Sequence, residues 1–383
     1  MRILILNWRD LTHPRAGGAE LVTMEHAKGW VRAGHRVTWL TGWYGGPKEE
    51  IVDGVHIVRR AGSLTIYLYA MVYLLINGRL FDVIVDEAHG FPFFSPLFTK
   101  TPVVLFIHEI AGEIWDYMFP FPKNVIGKIL ESWYFKLYKA CYVWTDAPST
   151  IDELVERGIP RKHCVAIPCP IIADKRLLVP SSSFLEKHKQ SRTSNQQPRT
   201  KNQQPTYIFV SRVVRMKGVE EVIKAFSFIC REESKSKLWI VGGGEDVYVK
   251  ELKTMISEYG IEKSVEWFGI VTEAKKYELM ARAHLLLHAS VKEGWGLVVL
   301  EAASVGTPAV VYNVSGLRDI VKHNKTGIVL QTNSPQEMAR EAMVLLKNNY
   351  KYTLYQQNGK KWVDGLRWDD VIKKSLDLFK KAT

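Results

Sequence analysis

The chain has 383 residues, 46% of them apolar, which is more than one hydrophobic core usually organises, so two domains are expected. Lys and Arg number 52 against 40 Asp and Glu, a formal +12 that points to an anionic partner such as phosphate, nucleic acid or an acidic membrane face. Four cysteines, Cys141, Cys164, Cys169 and Cys230, are too few and too irregularly spaced for a disulfide frame or a Cys-x-x-Cys metal knuckle; a disulfide-rich secreted domain is excluded and a reducing, cytoplasmic setting is expected.

The N-terminal RILILNW reads as a strand rather than a signal peptide, because no long apolar stretch follows its basic residue. RVTWLTG, DVIVDEA, PVVLFIH, YVWTDAP and CVAIPCP follow, nearly all apolar, as in strands covered on both faces. The stretches between them are long enough for crossover helices, so residues 1–172 are expected to form a doubly wound parallel sheet.

Two of those stretches raise a membrane question. AGSLTIYLYAMVYLLING, residues 61–78, is uncharged but sits at the lower limit of about 17–25 residues for a span and carries Gly, Asn and three Tyr, so a buried or interfacial helix is the better reading. NVIGKILESWYFKLYKACYVW places Ile126, Ile129, Leu130, Trp133, Leu137 and Cys141 on one helical face, with Lys123, Lys128, Lys136 and Lys139 nearby. Such a face either packs on the first sheet or rests on anionic lipid.

Residues 173–205 read as a basic connector or extended loop: SSSFLEKHKQSRTSNQQPRTKNQQP is almost free of apolar residues, and positions 175 to 205 hold seven Lys or Arg against Glu186. The strand and helix alternation then resumes over 206–365 with TYIFVSR, KLWIVGGG, VEWFGIV, HLLLHAS, PAVVYN and GIVLQ, a second sheet of the same kind. Residues 366–383 place Val371, Ile372, Leu376 and Phe379 at helical spacing, an amphipathic helix expected to cross back onto the N-terminal domain.

Several motifs fall where open α/β sheets bind ligands. Gly17 and Gly18 lie where the first strand turns into a helix, so main-chain N–H groups and the helix start can meet an anion there; a loop that merely needs positive φ is the alternative. No G-x-G-x-x-G follows that strand, which disfavours a nicotinamide oxidoreductase. In SRVVRMKG, Arg212 ends a strand and Lys217 precedes a helix, two cations placed to cradle a diphosphate by charge-assisted hydrogen bonds. WIVGGGED offers Gly242, Gly243 and Gly244, suited equally to nucleotide approach and to ordinary loop chemistry. EGWGLVVLE sets Glu293 just before a helix that begins near Gly296 and Glu301 inside it. Eight residues at 1.5 Å each give about 12 Å, comparable to the reach from a hexose across a diphosphate to a ribose. Carboxylates suit diols because each oxygen accepts a hydrogen bond, and the amides from Gly294 through Trp295 and Gly296 to Leu297 would face the phosphates between.

EGWGLVVLEAASVGTPAVVYNVSGLRDIVKHNKTGIVL, together with SRVVRMKG and HPRAGGAE, resembles the retaining GT-B glycosyltransferases of the family-4 type, including their glutamate-x7-glutamate motif, over nearly the whole chain. The resemblance implies two Rossmann-like domains with a cleft between them and transfer of a hexose from a nucleoside-diphosphate sugar, with retention, to a glycan, lipid-linked or small-molecule acceptor. It implies that Glu293 contacts donor-sugar hydroxyls, that Glu301 holds the ribose, and that Arg212 and Lys217 bind the diphosphate with Gly17 and Gly18 closing on it. His108, in VVLFIHEIAGEIW, matches the family's histidine near the sugar and acceptor; read from its place alone it is either a neutral hydrogen-bonding partner or a structural histidine. No metal and no cofactor is implied, since cations and helix ends take the role of Mg²⁺. The family's Asn-Gly after IP is replaced here by IPCPII, which alters a turn.

Asp86-Glu87-Ala88-His89 spells a helicase tetrad, but no G-x-x-x-x-G-K-[ST] occurs, and no nucleic-acid partner is expected. HEIAGE lacks the second His of a zinc protease. The alternatives are a sugar-nucleotide epimerase or phosphorylase of the same fold, and a non-catalytic protein on an anionic membrane surface. Peripheral attachment to the inner face of the cell membrane is a further expectation.

Overall fold

A computed structural model describes residues 1–14, 16–172 and 204–383, so the predicted connector lies outside the described residues except for 204 and 205. The chain forms two units, Met1–Ile172 with Leu366–Thr383, and Ala173–Gly365.

The first unit holds β1 (Arg2–Leu6), β2 (Arg36–Thr41), β3 (Glu49–Val52), β4 (Val55–Arg59), β5 (Val83–Ala88), β6 (Val103–Ile107), β7 (Tyr142–Thr145) and β8 (Cys164–Ala166), in the order β3-β4-β2-β1-β5-β6-β7-β8. Every pair is parallel except β3 with β4. That hairpin is absent from the sequence reading. Asp53 and Gly54 both have positive φ, 49° and 83°, as the tight turns of two-residue hairpins require, and an Asp-Gly pair between short β-rich runs is the signal that would have found it.

Right-handed crossovers sort the helices by the direction of travel along the sheet. Helix Thr65–Asn77 joins β4 to β5, and helices Lys123–Tyr134 and Pro148–Glu156 follow further moves the same way, so they share one face. There Ile66, Ala70, Leu74, Tyr134 and Leu154 join Leu4, Leu6 and Leu105 in one core. Helix Gly18–Arg32 covers the other face with the terminal helix Trp368–Ala382. Trp30 Nε1 donates to Ser375 Oγ at 2.9 Å, and the Trp30 and Phe379 rings are 4.9 Å apart. Gly29 permits this approach, for a Cβ there would sit 2.3 Å from Ile372 Cδ1. Val371, Ile372, Leu376 and Phe379 are buried, each core side chain worth about 1.5–3 kcal/mol relative to exposure.

Two helices turn apolar residues outward, the alternative to sheet packing that the sequence left open. In Lys123–Tyr134 the inward residues are Gly127, Glu131 and Tyr134, whereas Ile126, Ile129, Leu130 and Trp133 point to solvent. Glu131 faces inward because its carboxylate accepts from the Ala111 and Gly112 amides, both at 2.7 Å. Leu137 and Cys141 separate from the predicted stripe, since a tighter turn, Phe135–Tyr138, rotates them toward the core. Helix Thr65–Asn77 has 13 residues, about 20 Å long against about 30 Å of bilayer hydrocarbon. No helix among the described residues is long and apolar enough to cross a membrane.

The second unit holds β9 (Thr206–Val210), β10 (Lys237–Val241), β11 (Val265–Gly269), β12 (Leu285–His288), β13 (Ala309–Val311) and β14 (Gly327–Val329), all parallel, in the order β11-β10-β9-β12-β13-β14. The order reverses at β9 in this sheet and at β1 in the first. Ligands bind outside the carboxyl ends of strands at such switch points.

Candidate active site

In the first unit the carboxyl ends of β1, β5, β6 and β7 bring together a buried network. His108, just after β6, has Nδ1 2.5 Å from Asp146 Oδ2 and Nε2 3.1 Å from Glu87 Oε1. Ionised carboxylates only accept hydrogen bonds, so an imidazole flanked by two of them needs both protons. Burial pulls the His108 pKa down, but Asp146 and Glu87 outweigh it and push it up to about 10. Burial likewise raises the Glu87 carboxyl, and the bonds to His108 and His89 bring it down to about 2. The neutral reading of His108 is therefore corrected to an imidazolium. His26, buried nearby with neither ring nitrogen bonded, is held down to about 3 by burial and by the charge on His108.

The network continues to the glycine turn. His89 Nε2 lies 2.9 Å from Glu87 Oε1 and 3.7 Å from Glu20 Oε1, Arg9 Nε pairs with Glu20, and Gly17 N–H donates to Glu20 Oε2 at 2.7 Å. This corrects the expectation for Gly17: its amide already serves a buried carboxylate and is not offered to an anion. Its φ is −150°, and a Cβ there would meet nothing within 4 Å, so neither positive φ nor crowding explains the glycine. Gly18 opens helix Gly18–Arg32, whose first-turn amides have no intrahelical acceptor.

Glu87, His89 and His108 set their ligand atoms within 4.8 Å of one another, close enough to hold a cation. Protons already join these groups in pairs, and Thr23 Oγ1 donates to both Glu87 oxygens at 2.8 Å. Asp86 is structural, accepting from Phe93 N, Ser95 Oγ and Tyr138 Oη.

In the second unit the site is built from lysines and glutamates. Gly218, at φ 70°, lies so close to the end of β12 that a Cβ would stand 1.9 Å from Ala289 O. That approach delivers Lys217 Nζ to Glu293 Oε1 at 2.6 Å, with His288 Nε2 3.0 Å from the same oxygen. Burial opposes ionisation of Glu293, and Lys217 with His288 reverses this, holding the carboxyl well below the usual range. The loop behind it is pinned: Glu293 N–H donates to Ser315 O at 3.3 Å, and Gly316 passes so near that a Cβ would be 2.3 Å from Glu293 O. Gly294 and Leu297 are half-buried, Trp295 is buried, and Gly296 takes φ 82° to start helix Leu297–Ser304.

Glu301 is largely buried: its side chain is 16% exposed and Lys276 Nζ lies 3.0 Å away. Burial dominates there and raises its pKa despite Lys276. Arg212 is exposed, and among the described residues no carboxylate pairs with it. Gly242 and Gly244 are needed for packing, since a Cβ would come within 1.7 Å of Ser211 O and 2.3 Å of Val213 O, whereas Gly243 meets only the mobile end of Ile270. Sequence reasoning missed Glu20, Glu87, His89, Asp146, Lys276 and His288. Glu87, Asp146 and His288 stand at or next to strand carboxyl ends, which was the available signal.

Two largely parallel sheets with polar and ionised residues gathered at their carboxyl ends are the arrangement that the GT-B resemblance implied. Residues 16–175 match the model of Glycosyltransferase Family 4 and residues 190–362 that of Glycosyl transferases group 1, and the chain belongs to the GT-B glycosyltransferases of the family-4 type. It is 26% identical to an uncharacterized glycosyltransferase of Methanocaldococcus jannaschii over 100% of this chain and 98% of that one. It is 30% identical to a GDP-mannose-dependent alpha-(1-6)-phosphatidylinositol monomannoside mannosyltransferase of Mycobacterium tuberculosis, over 46% of this chain and 47% of the relative. Anabaena HepE, solved in complex with UDP and glucose, has the same fold with a TM-score of 0.74 at 19% identity, covering both chains fully.

Proposed function

We propose that the protein transfers a hexose from a nucleoside-diphosphate sugar to a glycan, lipid-linked or small-molecule acceptor, with retention and without a metal or cofactor. The observation that carries this reading is the pair of largely buried glutamates at the switch point of the second sheet, each held by a lysine: Glu293 with Lys217 and Glu301 with Lys276. Such acids accept hydrogen bonds from sugar hydroxyls, Glu293 from the hexose and Glu301 from the ribose, while Arg212 and Lys217 neutralise the diphosphate. The amides from Gly294 to Leu297 add main-chain donors, and Gly243 leaves room for the nucleotide. On the first unit, His108 is a fixed cation on a rigid mount, and Gly18 opens a helix whose first-turn amides have no intrahelical acceptor.

In this reading the bond from the anomeric carbon to the leaving phosphate breaks as the acceptor oxygen attacks the same face. The acceptor's proton passes to the departing phosphate oxygen, whose charge Arg212 and Lys217 stabilise. Peripheral attachment to the inner face of the cell membrane belongs to the same reading. Support for the donor class is the relatives' chemistry, GDP-mannose in one and UDP with glucose in another.

A thermal-shift panel of UDP, GDP and ADP tests this. A ligand bound only to the folded state at about 100 times its Kd adds about 2.7 kcal/mol of stability. One nucleotide should raise Tm in the wild type and much less in Lys217→Ala and Glu301→Ala. A shift of equal size in all three proteins, or none with any nucleotide, would overturn the assignment.

A further inference from the structure

We propose that the outer surface formed by helices Thr65–Asn77 and Lys123–Tyr134 docks the protein on an anionic lipid bilayer. The two helices cover the same face of the first sheet and grip one loop between them: Tyr67 Oη donates to Phe91 O at 3.3 Å and Tyr134 Oη to Gly90 O at 2.8 Å. Their outward sides therefore face the same way. Helix Thr65–Asn77 contains no charged residue, and Leu68, Leu75 and Ile76 are 64%, 65% and 72% exposed. Ile129 and Trp133 on the other helix are 63% and 54% exposed. Seventeen of the twenty-six exposed large apolar residues among the described ones fall between Leu64 and Trp133, all in the first unit. Apolar side chains exposed on two helices of one sheet face mark a membrane or a protein partner.

Charge decides between them. On helix Lys123–Tyr134 and the turn after it, the exposed charges are Lys123, Lys128 and Lys136, while the one acid, Glu131, is buried on backbone amides. Lys128 pairs with Asp116 at 2.5 Å; Lys123 and Lys136 have no carboxylate partner among the described residues. Lys128 and Lys136 flank a hollow of about 410 Å³ floored by Ile129, Ser132 and Trp133. Lysines lining one hollow with an indole and an aliphatic side chain suit a phosphate-bearing headgroup with its acyl chain beside it. A two-fold dimer through this face would gather the lysines of both copies in one interface, a repulsion that an anionic bilayer replaces with attraction.

Flotation of the full chain with vesicles tests the surface. With equal parts phosphatidylglycerol and phosphatidylcholine the protein should float, with phosphatidylcholine alone it should not, and added salt should release it. Ile129→Ser with Trp133→Ser, and separately Leu68→Ser with Ile76→Ser, should each cut the bound fraction about tenfold or more, and Lys123→Glu with Lys136→Glu about as much. All six positions are exposed, so Tm and nucleoside-diphosphate binding should stay unchanged, which separates failure here from failure of the glycosyl-transfer reading. Binding indifferent to lipid charge, no flotation, or a dimer by light scattering that the Ile129 and Trp133 variant dissociates would overturn the proposal.

Discussion

The two units put carboxylates at the carboxyl ends of their strands in different company. In the first, Glu87 and Asp146 meet imidazoles, and His108 bridges them with both ring nitrogens. In the second, Glu293 and Glu301 meet lysines. An imidazolium locked between two acids is a planar cation with no freedom to leave. A lysine is a point charge on a flexible stem, able to swing from a carboxylate to an incoming phosphate. The first arrangement is a fixed mount; the second can be exchanged for ligand. Even the two glutamates differ, since burial wins at Glu301 and raises its pKa, while Lys217 and His288 overcome burial at Glu293 and lower it.

The largest effect is expected where the exchangeable pair is broken. Glu293→Gln and Lys217→Ala should each lower kcat/KM by about 10²–10³-fold, and the double variant should be little worse than either, as partners acting as one unit are not additive. Additive losses would show that Lys217 and Glu293 work independently. Glu301→Ala comes next: loss of hydrogen bonds to a charged group, about 1.5–3 kcal/mol, should weaken nucleoside-diphosphate binding by about one to two orders of magnitude in calorimetry. Unchanged affinity would move the ribose elsewhere.

His108→Gln probes the fixed mount through pH. Because the folded pKa is raised, to about 10 from about 6.5, the stabilisation is complete below about pH 6.5 and lost as pH rises toward 10. The Tm gap between wild type and variant should thus be widest near the lower limit and close with rising pH; a gap that widens instead contradicts the imidazolium. The smallest structural effect is expected at Gly17→Ala, where φ is −150° and no atom lies within 4 Å of the new Cβ. Its unfolding free energy should stay within about 0.5 kcal/mol of wild type, as for ordinary surface changes. A measurable loss of donor use at unchanged Tm would show that the bare backbone of this turn approaches ligand.

Much of the strand plan was legible because parallel strands covered on both faces are written as short apolar runs, from RILILNW to GIVLQ. The Asp53-Gly54 hairpin was legible too, from its turn pair. Ile126, Ile129, Leu130 and Trp133 show the limit of periodicity: it identifies an apolar face without saying whether the sheet lies on that side, and here Glu131 took the inward position. Asp86-Glu87-Ala88-His89 shows another, since a tetrad set aside as a helicase decoy supplies Glu87 and His89 to the buried network.

By itself the sequence determined the alternation of strands and helices, the turn glycines and the spacing of Glu293 and Glu301, for these are local properties of neighbouring residues. Tertiary structure alone decided the partners and therefore the charges: His108 meets Asp146 from 38 positions away and Lys217 meets Glu293 from 76. Protonation depends on which groups lie within a few ångströms after folding and on how much water remains beside them, and neither is written in the order of the residues.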